Sequence, residues 1–190
     1  MSLRKTFAGT IVCAFGLLAC GDDPATPPEG NEQELITEVT VTLTPVGGGT
    51  SMTSSVIDPD GPGTLPPDPA TLTFMLTAGM TYDGTVEFWD RQDPGNPEDI
   101  TQEVAAEADE HRVFHMFTGV TDVSVPDGSL DTDGNGAPLG LTFQVVADAV
   151  AAGTGSLRVI LSHYDDTPKG DGSQQSNETD ADVTFPVTVN

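Results

Sequence analysis

Residues 36–46 read ITEVTVTLTPV. Val39, Val41 and Leu43 alternate with Thr40, Thr42 and Thr44, a period of two that gives an extended chain one apolar and one polar face. The same alternation recurs in TLTFMLT (71–77; Leu72, Phe74, Leu76), YDGTVEF (82–88; Tyr82, Val86, Phe88) and GLTFQV (140–145; Leu141, Phe143, Val145). It appears again in SLRVILSH (156–163; Leu157, Val159, Leu161) and DVTFPVTV (182–189; Val183, Phe185, Val187, Val189). Further strands are expected over 51–57, 112–118 and 120–125. Short, Thr-rich strands separated by Gly, Pro and Asp turns specify a mainly β fold, an antiparallel β-sandwich of immunoglobulin-like or related type. Pro186 cannot donate to a ladder and marks the last strand as an edge.

One stretch departs from this rhythm. NPEDITQEVAAEADE (96–110) spaces Ile100, Val104 and Ala108 four apart, with Asn96 as N-cap, Pro97 at the first helical position and Asp99 completing a near capping box. It predicts one short helix at about 97–110, packed on the sandwich or closing one end.

The start of the chain is of a different kind. Arg4 and Lys5 precede the apolar run TFAGTIVCAFGLLA, shorter than a membrane span, and Leu17, Leu18 and Ala19 lead into Cys20. This is a lipobox. It implies a lipoprotein signal over 1–19, acylation of Cys20, and attachment to the outer membrane on its periplasmic or surface side. Cys13 leaves with the signal, so the mature chain cannot form an internal disulfide although it is exported. Residues 20–33 are acidic and Pro-rich and form a tether with a reach of roughly 40 Å at about 3.1 Å per residue. Residues 34–190 then form one domain.

The formal net charge is −24, and loss of Arg4 and Lys5 takes it to −26. With only Arg91, Arg112, Arg158 and Lys169 left to meet phosphates, nucleic acid is excluded as a partner. The abundant Asp stands mostly beside Gly, Pro or Asn, at turn positions. In SLDTDGNGAPLG (129–140), Asp131, Asp133 and Asn135 followed by Gly136 form the opening half of a calcium loop, while position twelve is Thr142 rather than Glu. Two readings fit: a composite calcium site completed by Asp58 and Asp60 or by Asp165 and Asp166, or plain turn chemistry.

Other side chains with chemical potential are few. His111 and His115 would share ligand spacing on a helix, but Val113, Phe114 and Phe117 favour a strand, where the two stand about 13 Å apart. His163 precedes Tyr164, Asp165 and Asp166 and could serve as a general base, yet no nucleophile elbow accompanies it. Trp89 falls on the polar face of its strand, where it would stack a sugar, anchor a protein partner, or lie under the neighbouring helix.

The stretches LLACGDD (17–23), ELITEVTVTLTPVGGGT (34–50), EDITQEVAAEADEH (98–111), DTDGNGAPLGL (131–141) and ETDADVTFPV (178–187) resemble a group of small acidic lipoproteins of Gram-negative bacteria without an established function. Some of these carry the label of type 1 periplasmic-binding proteins, which would imply two α/β lobes. This chain is too short for that and lacks βαβ alternation. The resemblance supplies no active site. The expectation is therefore a non-enzymatic, lipid-anchored binding or structural module with calcium as its candidate ion. The alternatives are glycan or nutrient capture at Trp89, and a hydrolase built on His163 with Asp165 or Asp166.

Overall fold

A computed structural model describes residues 34–61, 65–164 and 167–190. The signal, Cys20, the tether, Asp165 and Asp166 lie outside the described residues. The fold is mainly β with one short helix, as the alternation requires. Its strands are β1 (Glu38–Pro45), β2 (Met52–Ile57), β3 (Phe74–Leu76), β4 (Thr81–Asp90), β5 (Glu98–Asp99), β6 (His111–Ser124), β7 (Thr142–His163) and β8 (Glu178–Val189). They form one eight-stranded sheet in the order β2-β1-β4-β7-β8-β3, with β5 added to β4 and β6 to β7. The sheet curls until it is nearly closed, so the two layers of a sandwich become two sides of one barrel-like wall.

The long strand β7 makes this possible. Its first residues, Thr142–Val146, pair with β4, and from Gly153 onward it is flanked by β6 and β8. Every pairing is antiparallel except β3 with β8, where Phe74, Met75 and Leu76 lie parallel to Val187, Thr188 and Val189. Inward residues are those the period-two reading selects: Val41, Leu43, Phe74, Leu76, Phe88, Val145, Leu157, Val159, Leu161, Phe185 and Val187 are all fully buried.

Three local expectations need correction. The helix, α1 (Ile100–Ala106), is shorter than 97–110 and has Asp99 rather than Asn96 at its N-cap position, without a side-chain cap bond, because Glu98 and Asp99 are drawn into pairing with Asp90 and Trp89. Ile100 and Val104 are buried as expected, and Ala108 packs against the core. Leu72 is exposed, since β3 begins only at Phe74 and the preceding residues cover the free edge of β2 through Thr71 N–H to Ser55 O and Leu72 N–H to Ser54 Oγ. Pro186 marks an edge only in part: it pairs with Ser156 of β7, and β3 begins to flank the other side at Val187.

Where β6 crosses β7 the two backbones approach closely. A Cβ on Gly155 would lie 1.9 Å from Thr118 O and 2.8 Å from Gly119 Cα. Neither backbone atom can swing away as a flexible side chain would. Gly155→Ala is therefore expected to destabilise the domain by about 3 kcal/mol, read as a lower urea midpoint with an unchanged m-value. A midpoint equal to that of the wild type would refute the close crossing.

Candidate metal centre

Glu34, His111, His163 and Asp180 meet in the interior at one end of the wall, brought there by four different segments. Glu34 belongs to the extended residues leading into β1, fixed by burial of Ile36 and by Thr37 N–H bonding to Trp89 O at 2.9 Å. His111 opens β6 and His163 closes β7. The two are directly opposite in the β6–β7 register, and their rings stack with centroids 4.3 Å apart.

Asp180 owes its position to a bulge. By alternation it should share the outer face of β8 with Asp182 and Thr184. The register slips between Leu161 and Ser162, so that Leu161 faces Ala181 while Ser162 faces Thr179, leaving Asp180 as the extra residue. A bulge re-aims a side chain. Here it turns a carboxylate into the core, where its side chain is 1% exposed beside His111 at 0%, His163 at 3% and Glu34 at 5%.

The donor atoms are closely gathered. His111 Nε2 lies 3.0 Å from Glu34 Oε1 and 3.7 Å from Asp180 Oδ2, and His163 Nδ1 lies 3.3 Å from Glu34 Oε2 and 3.5 Å from Asp180 Oδ2. Four ligands around a tetrahedral ion with bonds of about 2.1 Å stand about 3.4 Å from one another; the four groups offer donor atoms that all lie within 4.8 Å of one another, a set that a modest inward shift would bring to such an ion. His111 Nδ1 is 3.1 Å from Glu107 O. A carbonyl can only accept, so Nδ1 carries a proton, and a metal ion would replace Glu34 as the partner of Nε2, giving the usual outer-shell arrangement of a metal-bound imidazole. His111 Nε2 and Glu34 Oε2 are both buried and turned toward the other donors of the cluster, which suits atoms meant for a metal.

The electrostatics agree with a divalent cation. Burial opposes charge on Glu34, but His111 and Asp180 outweigh it and hold its pKa low; burial likewise opposes charge on His111, and Glu34 outweighs it and raises the His111 pKa. Two carboxylates with two neutral imidazoles carry a charge that a divalent ion balances. Asp180 also lines a cavity of about 310 Å³, with Ile36, Val56 and Ala181. The centre is enclosed, as structural metal sites are.

The other side chains expected to carry chemistry are placed elsewhere. Asp131 Oδ1 accepts the N–H groups of Gly140 and Thr142, and Asp133 Oδ1 accepts those of Asn135 and Ala137. Lys169 Nζ stands 3.1 Å from Asp133 Oδ2, an ammonium at the place of a cation. Asp58 and Asp60 crowd each other and Asp68; burial first, and this repulsion second, push the Asp58 pKa up. Trp89 is half-buried, with the Arg91 guanidinium 4.6 Å over its ring and Nε1 donating to Glu87 at 3.4 Å, so one face of the indole is already occupied.

His115 shares a face with His111 but not a site: its ring stacks on Phe143 at 3.9 Å and Nε2–H donates to Gly140 O at 2.9 Å. His163, considered with Asp165 and Asp166, meets Glu34 and Asp180. Glu34 and Asp180 had no local signal in the sequence, since neither stands at ligand spacing from a histidine. No family, curated protein or solved structure matches this chain.

His115 supplies a pH test independent of the cluster. Burial lowers its pKa to about 4, and nearby Arg112 adds to the effect against the opposing bond to Gly140. The unfolded chain, titrating near 6.5, takes up its proton first as pH falls. Stability contributed by neutral His115 is therefore full above about 6.5 and lost toward about 4, with about 2 kcal/mol of it gone between pH 7 and pH 4.5. His115→Gln should flatten the urea stability profile by that amount between pH 7 and pH 4.5, and profiles that fall in parallel would contradict it.

Proposed function

We propose that this protein is a lipid-anchored module of the outer envelope whose β domain is locked by a divalent transition-metal ion at Glu34, His111, His163 and Asp180. The observation that carries the reading is the buried set of two imidazoles and two carboxylates whose donor atoms all lie within 4.8 Å of one another. Mixed imidazole and carboxylate donors suit zinc, manganese or iron(II), whereas calcium takes oxygen ligands alone. All four side chains are buried, which favours a structural over a catalytic role.

The anchor rests on the lipobox Leu17–Cys20 and the acidic spacer that follows it. A metal would stabilise the chain where a cross-link through cysteine is unavailable, and it would fasten the N-terminal end of the domain, through Glu34, to the ends of β6 and β7 and to β8. Binding is the expected output: a rigid, acidic surface held off the bilayer.

Metal analysis of the purified full-length protein should find one ion per chain, lost in a His111→Ala, His163→Ala double variant. After chelation, zinc at about a thousandfold its Kd should raise the melting temperature by about 10 °C in the wild type. A wild type that retains no ion and whose melting temperature is indifferent to zinc, manganese and iron(II) would dismiss the metal. The anchor is tested separately by Cys20→Ala, which should move the protein from the membrane to the soluble fraction.

A further inference from the structure

Lys169 is the one lysine of the described domain, in a chain of net charge −24, and it faces inward. Its side chain is 3% exposed and that of its partner Asp133 is 2% exposed. Lysine is rarely buried this far, because withdrawing an ammonium from water is costly even when it is paired. The pair is held on every side. Nζ donates to Ala108 O at 2.7 Å and to Asp133 Oδ2 at 3.1 Å, while Asp133 Oδ1 accepts the backbone N–H groups of Asn135 at 2.8 Å and Ala137 at 2.9 Å.

One carboxylate oxygen thus faces the amine and the other sits in a fixed two-donor cradle. Such a cradle stabilises negative charge developing on an acyl oxygen, and the bond to Ala108 keeps the nitrogen beside the carbon it would attack.

We propose that Lys169 and Asp133 condense into an intramolecular isopeptide bond. The ammonium passes one proton to Oδ2, giving a neutral amine beside a neutral carboxylic acid. The Nζ lone pair then attacks Cγ, and the carbonyl electrons move to Oδ1 between the N–H groups of Asn135 and Ala137. Collapse restores the Cγ–Oδ1 double bond and breaks Cγ–Oδ2, and that oxygen leaves as water with a second proton from the nitrogen. The products are one amide and one water, with no redox change and no co-reactant.

Burial supplies the drive, since a buried neutral amide replaces a buried ion pair. It also pulls the Lys169 pKa down, toward the nucleophilic amine, outweighing the opposing charge of Asp133. Burial works against charge on Asp133 too, but Lys169 and the two N–H groups outweigh it and hold that pKa low. The ion pair is therefore the resting state, and the proton crosses as attack begins. The bond would tie the β6–β7 connection to the β7–β8 connection, bracketing β7, in a domain whose described residues contain no cysteine.

Tryptic peptide mapping of the denatured full-length wild type decides the matter without a variant that must fold. The expected product is a branched peptide in which residues 113–158 are joined through Asp133 to a peptide that starts at residue 159 and is uncleaved after Lys169. Its mass is one water less than the sum of the two. Lys169→Arg, which keeps the charge but cannot form the amide, should give only linear peptides. Cleavage after Lys169 in the wild type, with both segments at their unmodified masses, would overturn the proposal. Its outcome is independent of whether the domain holds a metal.

Discussion

The β7 strand hydrogen-bonds to three partners in turn, and nearly every other feature of the domain follows from that. It runs for 22 residues, beginning beside β4 and ending between β6 and β8. A strand this long must twist, and the twist carries the sheet from one side of the core to the other. The bulges and glycines of the β6–β7 pair accommodate the bend, with Gly119 and Gly155 letting the backbones touch. The same strand delivers His163 to its final position, opposite His111, so the register of the fold is also the register of the candidate site.

Charge is distributed by a clear division of labour. The surface carries a large excess of carboxylates, which water and salt tolerate readily. Cations are few and are held close: Arg91 pairs with Glu38, Arg158 with Asp182, and Lys169 with Asp133. Among the described residues few charged groups enter the interior, and they do so in company: the Glu34–Asp180 carboxylates with two imidazoles, the Lys169–Asp133 pair, and Arg112, which donates to Gly172 O. Buried charge is sustainable only in such company.

Much of the wall was legible in the sequence. Alternation placed Val41, Leu43, Phe88, Leu157 and Phe185 inside because a half-buried strand has no other way to separate its faces. The helix was legible in kind but not in extent, since the attraction of Glu98 and Asp99 to β4 is tertiary and outweighs local capping. His111 and His163 stood out as chemically able residues, yet their meeting depends on strand pairing across some fifty intervening residues. Asp180 was hidden for a sharper reason: one inserted residue reverses the parity of a strand, and no local pattern announces a bulge. Glu34 looked like one more acid at the domain's edge. In the 131–140 loop the sequence left a calcium site and a cluster of turns both open; the backbone N–H groups that Asp131 and Asp133 accept are local, but Lys169, which answers the charge of Asp133, comes from a distant connection.

The parallel pairing of β3 with the end of β8 sets an order of events in time. Phe74 reaches its partner Val187 only across more than a hundred residues, and Glu34 meets Asp180 across a still longer span. Closing such long loops is entropically slow, and neither contact can form before β8 exists. A chain emerging from its N-terminus thus carries an open, incomplete wall until its last strand arrives. If the chain is exported, as proposed above, that delay keeps the polypeptide translocatable until β8 has emerged, and the wall closes on the far side.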